Sequence, residues 1–185
     1  PLPAHLTLNY MAAGVHRIIE ELSLRHPAII GHSMGGYVLL ELVNLYPQLF
    51  SGAGLFHSTA FADSDEKRLN RLKTLEFLNK NPVTTFLNLF VEGLFAPFNL
   101  NSRMVREAEK IVHKVSKETV IAGINAMLDR YDRSELLKNV KMPWLFISGE
   151  HDQLIPMKPQ SLQASYCNMA LFEILNHSGH LGMIE

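Results

Sequence analysis

A single cysteine, Cys167, stands among the 185 residues of this chain, so neither a disulfide framework nor a cysteine-built metal site can be drawn for it. One cysteine also suits a reducing compartment, and a cytoplasmic location is the expectation. An excess of charge of either sign is lacking too. The 17 Lys and Arg against 18 Asp and Glu leave a net charge of −1, which gives no reason to expect nucleic acid or an anionic membrane as partner. No apolar stretch approaches the roughly 20 residues that cross a bilayer. Nine histidines are present, yet none forms an H-E-x-x-H or a comparable close helical pair. His177 and His180 are three apart, but Ser178-Gly179 between them reads as loop. No metal and no cofactor are therefore expected, and most of the histidines are read as solvated. Internal repeats and low-complexity segments are missing as well.

What remains is a globular composition, 47% hydrophobic and 19% charged. The length suits one domain with a sizeable core and an insertion. Asn9 reads as the N-cap of a helix whose apolar positions Met11, Val15, Ile18, Ile19 and Leu22 recur at helical spacing and which ends near His26-Pro27. A short apolar run, Ala28 to Ile30, reads as the first strand. Val38, Leu39, Leu42, Val43 and Tyr46 carry a second helix until Pro47 stops it. Ala53 to Phe56 reads as the second strand. The stretch from Asp63 to Asn139 shows no strand character; four helices are read there, over Asp63–Lys80, Thr84–Phe95, Ser102–Lys117 and Glu118–Tyr131. Strand character returns at Pro143–Ile147 and at Ala170–Leu175, with a helix over Lys158–Tyr166 between them. Such alternation implies an α/β protein with a mostly parallel sheet flanked by helices.

The stretch Gly31-His32-Ser33-Met34-Gly35-Gly36 joins the first strand to the following helix and puts one serine at the apex of the turn. The glycines two before and two after Ser33 are expected to let strand and helix pack closely. The geometry exposes Oγ and aims the Met34 N–H, at a helix N-terminus, toward whatever Oγ attacks. In open α/β sheets reactive groups gather at the carboxyl ends of the strands. Asp152 follows the third strand and His180 the fourth. A serine hydroxyl needs a base to remove its proton, an imidazole suits that task, and a carboxylate holds the ring in the right tautomer.

With Gly31-His32-Ser33-Met34-Gly35-Gly36, Gly149-Glu150-His151-Asp152-Gln153-Leu154-Ile155-Pro156 and Ser178-Gly179-His180, in the chain order Ser, Asp, His, the sequence resembles the α/β-hydrolase fold family of the esterase and lipase-like kind. The resemblance implies Ser33 as nucleophile, Asp152 as triad acid, His180 as general base and Met34 N–H as oxyanion donor. It also implies a hydrolase core over residues 1–61 and 140–185, with residues 62–139 as an inserted helical cap. Asp63 and Asp65 are rival acids, while Asp129 and Asp132 are poorer ones. His177 competes with His180. His32 is read as packing beside the nucleophile, and His57 as a pocket-lining or structurally satisfied side chain. The aromatic stretch from Phe86 to Phe98 is read as cap core, part of it roofing an apolar acyl pocket.

The sequence departs from the family pattern before the helix at Asn9, where the strands of the family are absent and with them the His-Gly loop that donates a second oxyanion N–H. Losing one such donor typically costs about 10²–10³ in turnover. The chain also stops five residues after His180, and Pro1 is not an initiator. The expectation is the C-terminal half or more of the sheet, with the elbow strand as a hydrophobic edge covered by self-association or by an N-terminal segment. The function expected is a serine hydrolase cleaving an ester or related acyl bond of a small molecule through an acyl-enzyme. The alternative is a non-catalytic or impaired protein of the same fold that binds a small apolar ligand under its cap.

Overall fold

The computed structural model describes residue 3 and residues 5–185; Pro1 lies outside them. Four strands, β1 (Ala28–His32), β2 (Gly52–Phe56), β3 (Trp144–Gly149) and β4 (Ala170–Leu175), form one sheet in the order β1-β2-β3-β4. Every pairing is parallel. The carboxyl ends of all four strands therefore lie along one edge of the sheet, where Ser33, His57 and the loops bearing Asp152 and His180 begin.

Side chains alternate across a strand, so the register sorts the two faces. The row Ile29, Ala53, Trp144 and the row Leu55, Phe146, Phe172 point into one core. Helices α1 (Leu8–Glu21) and α2 (Met34–Leu45) supply Leu8, Ala12, Leu39, Leu42 and Val43 to that core. The intervening row presents Ile30 and Leu171, which are 55% and 57% exposed. The sheet thus has one covered face and one carrying exposed apolar side chains, and among the described residues β1 is an edge strand paired only with β2.

Five helices lie between β2 and β3: α3 (Asp65–Lys80), α4 (Val83–Glu92), α5 (Arg103–Val112), α6 (Lys117–Leu128) and α7 (Ser134–Asn139). Helices α3 to α6 build two further apolar clusters, one around Leu78, Ile124 and Leu128, the other around Val91, Phe95 and Val105, whereas Leu137 of α7 joins the first core. Leu154 and Leu181, from the loops after β3 and β4, pack against the second cluster. Helices α4 and α5 are tied in this way to the loops that follow β3 and β4. The last helix of the chain, α8 (Met157–Ala164), packs on β3 and β4.

Three local expectations change. Helix α1 is capped by Thr7, whose side chain accepts the Tyr10 N–H at 3.1 Å, and not by Asn9, which lies inside the helix. It ends at Glu21, and Ser23 and His26 then adopt positive φ, so residues 22–27 are a turn leading into β1. A fifth inserted helix, α7, joins the four expected; at 6 residues it is too short to display a helical period. The aromatic stretch is divided: Phe95 is buried, whereas Phe90 and Phe98 are 38% and 58% exposed. No helix among the described residues is long and apolar enough to cross a membrane.

Candidate active site

β1 ends at His32 and α2 begins at Met34, leaving Ser33 alone to turn the chain, at φ 51° and ψ −121°. A positive φ is uncommon for a residue with a Cβ and marks stored backbone strain. The turn is held from below by the Ser33 N–H, which donates to Phe56 O at 2.9 Å. From the side, the Ser58 hydroxyl donates to Ser33 O at 2.8 Å. A Cβ on Gly31 would lie 2.5 Å from Gly35 O, so this glycine lets the strand meet the helix backbone. The glycine needed on the helix side is Gly36 rather than Gly35. A Cβ on Gly36 would lie 2.2 Å from Ser58 Oγ, whereas one on Gly35 meets nothing within 4 Å. Met34 opens the helix, so its N–H has no intrahelical acceptor and faces outward with the positive end of the helix dipole.

Two later loops bring their groups to Ser33. His180 is buried, its N–H donating to Leu94 O at 2.7 Å. Its Nε2 is 2.7 Å from Ser33 Oγ and its Nδ1 is 2.8 Å from Asp152 Oδ2. An ionised carboxylate only accepts, which puts the imidazole proton on Nδ1 and leaves Nε2 to accept from the serine hydroxyl. The other oxygen of Asp152, Oδ1, accepts the N–H groups of Leu154 and Ile155 at 2.9 and 3.0 Å. Burial pushes the Asp152 carboxyl upward, but the donors around it, the His180 and His57 rings and the Ile155 N–H, outweigh it and hold the group well below the usual carboxylate range.

The rival acids are engaged elsewhere. Asp63 takes Arg71 at 2.6 Å and Arg130 at 2.8 Å, while Asp132 accepts the N–H of Ala62 and of Ser134. Asp65 and Asp129 are exposed, as is His177. His32 does more than pack: its Nε2–H donates to His180 O at 2.8 Å, and burial lowers its pKa. His57 is fully buried, with Nδ1 3.2 Å from Asp152 Oδ2. His57, Asp152 and His180 are also of metal-ligating types with their atoms close together, but His180 Nδ1 is hydrogen-bonded to Asp152 Oδ2, and His57 Nδ1 lies 3.2 Å from the same oxygen. Residues that sequence reasoning missed include Gln163, which brackets the turn after β2 by donating to Ser58 O and accepting from Ala60 N. Gln160, one turn earlier, donates to Ser148 Oγ and Ile155 O beside the Asp152 loop.

A strand–serine–helix turn at the carboxyl edge of a parallel sheet, met by a histidine and a buried carboxylate from later strand ends, defines a class of enzyme. The profile of the family described as alpha/beta hydrolase fold matches residues 3–185, and the chain belongs to that family, as a hydrolase of the α/β fold. Among curated relatives, the protein named "Putative carbamate hydrolase RutD" of Pseudomonas syringae pv. syringae is 24% identical over 187 residues, spanning 99% of this chain and 71% of its own length. "Uncharacterized hydrolase YugF" of Bacillus subtilis is 26% identical over 194 residues, spanning 95% of this chain and 66% of its own. Among solved structures, a thermophilic esterase from Thermogutta terrifontis superposes with a TM-score of 0.90 at 23% identity, over 100% of this chain and 69% of that one. The esterase EaEST from Exiguobacterium antarcticum gives 0.81 at 20% identity, over 95% of this chain and 67% of that one.

Proposed function

We propose that the chain carries the catalytic machinery of a serine hydrolase that cleaves an ester or related acyl bond of a small molecule. The observation that carries this reading is the unbroken hydrogen-bonded series from Ser33 Oγ through both nitrogens of His180 to Asp152 Oδ2, at 2.7 and 2.8 Å. In this reading His180 Nε2 takes the Ser33 proton as Oγ attacks the carbonyl carbon. The Met34 N–H stabilises the oxyanion, and Asp152 stabilises the imidazolium. The tetrahedral intermediate collapses as His180 returns the proton to the leaving oxygen. A water then gives its proton to Nε2 and attacks the acyl carbon, and His180 passes that proton to Ser33 Oγ as the acyl–oxygen bond breaks and the acid leaves. The helices α3 to α7 act as the cap over this site, and the packing of Leu154 and Leu181 against the cluster of α4 and α5 supports that role. A carbamate presents the same carbonyl to the same groups, and the name borne by the relatives of P. syringae type makes it a substrate to test beside esters.

The test is covalent labelling with a fluorophosphonate, which phosphonylates an activated serine and releases fluoride, run beside p-nitrophenyl ester and carbamate turnover. Wild type labels and turns over; Ser33→Ala does neither. Equal labelling of the two proteins overturns the assignment of the nucleophile. Labelling that is Ser33-dependent without any turnover favours a binding protein of this fold.

A further inference from the structure

We infer that His57 is a positioning residue that holds the Asp152 carboxylate in register with His180, a role that rests on the triad reading above. His57 follows β2 directly at φ 47°, its N–H donating to Ile147 O at 2.8 Å. The turn throws its ring inward, where it stacks on Phe56 with ring centroids 4.5 Å apart and is fully buried. Three polar groups meet the ring. Asp152 Oδ2 lies 3.2 Å from Nδ1, the Gly149 N–H faces the same nitrogen at 3.1 Å, and the Gly182 N–H faces Nε2 at 3.3 Å.

A neutral imidazole offers one donor and one acceptor. With the proton on Nε2, only the Gly149 contact is satisfied, and the Nδ1 lone pair faces a carboxylate. With the proton on Nδ1, the ring donates to Asp152 and accepts from Gly182. The second arrangement leaves the Gly149 N–H facing a donor, but it satisfies two partners, one of them charged, and charge-assisted bonds are roughly twice as strong as neutral ones. His57 therefore carries its proton on Nδ1. Oδ2 of Asp152 then accepts from two imidazoles, His180 and His57, while Oδ1 accepts from two backbone N–H groups. Four donors on two oxygens fix the plane of the carboxylate, and through it the ring of His180.

This placement has a chemical consequence distinct from packing. A donor on Oδ2 draws off part of the negative charge with which Asp152 stabilises the His180 imidazolium. Without it, the carboxylate is a stronger partner for the cation. The groups that face His180 and Asp152 are His57, His32 and, from α3, Lys67, whose Nζ donates to Leu154 O at 3.0 Å. Of these only His57 donates to Oδ2.

The test uses the whole protein with His57→Phe, which keeps a ring and loses the donor, and His57→Asn, whose amide nitrogen takes the place of Nδ1 and whose backbone tolerates positive φ. His57→Phe is expected to lower kcat about 10²-fold, the scale of a misplaced catalytic group, with KM unchanged. The acid limb of kcat/KM moves to higher pH in the same variant. His57→Asn restores most of kcat and the wild-type limb. Wild-type kcat and limb in His57→Phe, or equal impairment in both variants at equal melting temperature, overturns the inference. Nitrogen-15 spectra of the histidines give a readout independent of turnover and of whether His57→Phe folds. Wild type and Ser33→Ala both show the His57 proton on Nδ1; a proton on Nε2 overturns the inference. Equal fluorophosphonate labelling of wild type and Ser33→Ala removes the triad reading while leaving this proton assignment to stand or fall by itself.

Discussion

The carboxyl ends of β1 and β2 are built alike and used differently. The two strands pair through His32 and Phe56, so the next residues, Ser33 and His57, sit side by side along the sheet edge. Each ends its strand at a positive φ, 51° and 47°, and each donates its N–H to the neighbouring strand. A helix starts immediately after Ser33, which lifts the hydroxyl outward and leaves it half-buried. After His57 the chain instead runs through a loop pinned by Gln163, and the ring is folded into the interior. The same local device thus delivers one small hydroxyl group to the rim and one ring to the space beneath it. Both converge on the Asp152–His180 pair, Ser33 from the Nε2 side and His57 from the carboxylate side.

The largest expected effect comes from removing what the two ends share. Asp152→Asn keeps the shape and removes the charge; its amide nitrogen turned toward either imidazole faces a donor. Steady-state turnover of the preferred ester should fall about 10⁴-fold, the cost of holding the base in the wrong tautomer. The fold should persist, because Oδ1 can still accept from Leu154 and Ile155. A loss below tenfold would separate Ser33 from the carboxylate and break the comparison, leaving the end of β2 with no part in the chemistry.

An intermediate effect tests how the two ends are joined physically. Ser58, next to His57, supports Ser33 O and fills the space against Gly36 at the start of α2. Gly36→Ala would seat a methyl 2.2 Å from Ser58 Oγ and 2.5 Å from its Cβ, so it should destabilise by about 1–3 kcal/mol as an overpacked contact. Gly35→Ala, one residue earlier in the same helix and open to space, should instead stabilise by about 0.5–1 kcal/mol. Urea midpoints of the two variants should move in opposite directions. Movement in the same direction would mean that the turn is not wedged against Ser58.

Much of this arrangement is legible in the residues because it is local. Ser33 is readable from a strand, a turn and a helix within ten residues, and Asp152 and His180 from small-residue loops after apolar runs. The parallel sheet follows from the alternation of elements, and β4 spans the residues its pattern indicates. What escapes is long-range or very short. Gly182 reaches His57 across 125 positions and Gln163 reaches Ser58 across 105, and no periodicity encodes such pairs. Helix α7 is shorter than two turns, and Thr7 is a cap only because its side chain, not that of Asn9, meets Tyr10. The division between Gly35 and Gly36 depends on Ser58, which arrives from another strand. One signal for His57 was present: it follows a short strand at the same edge as Ser33, where parallel sheets collect their functional groups.

The smallest effect appears only in acid and concerns what the shared carboxylate contributes to the fold. Asp152 is held below the usual carboxylate range by the donors around it, against the opposing effect of its own burial. A group whose folded pKa lies below its unfolded value, about 3.9 for aspartate, contributes stability that is present above that pH. The contribution is lost as the pH falls through the folded value, because the unfolded chain binds the proton first. Wild type should therefore lose urea resistance between about pH 4 and pH 2 more steeply than Asp152→Asn, which has no proton to bind at that position. His57→Asn, which retains a donor on Oδ2, should follow wild type, whereas His57→Phe should show a shallower loss than wild type. If all four proteins decline in parallel, the donors at the end of β2 do not stabilise the ionised carboxylate, and the resemblance between the two strand ends stops at the backbone.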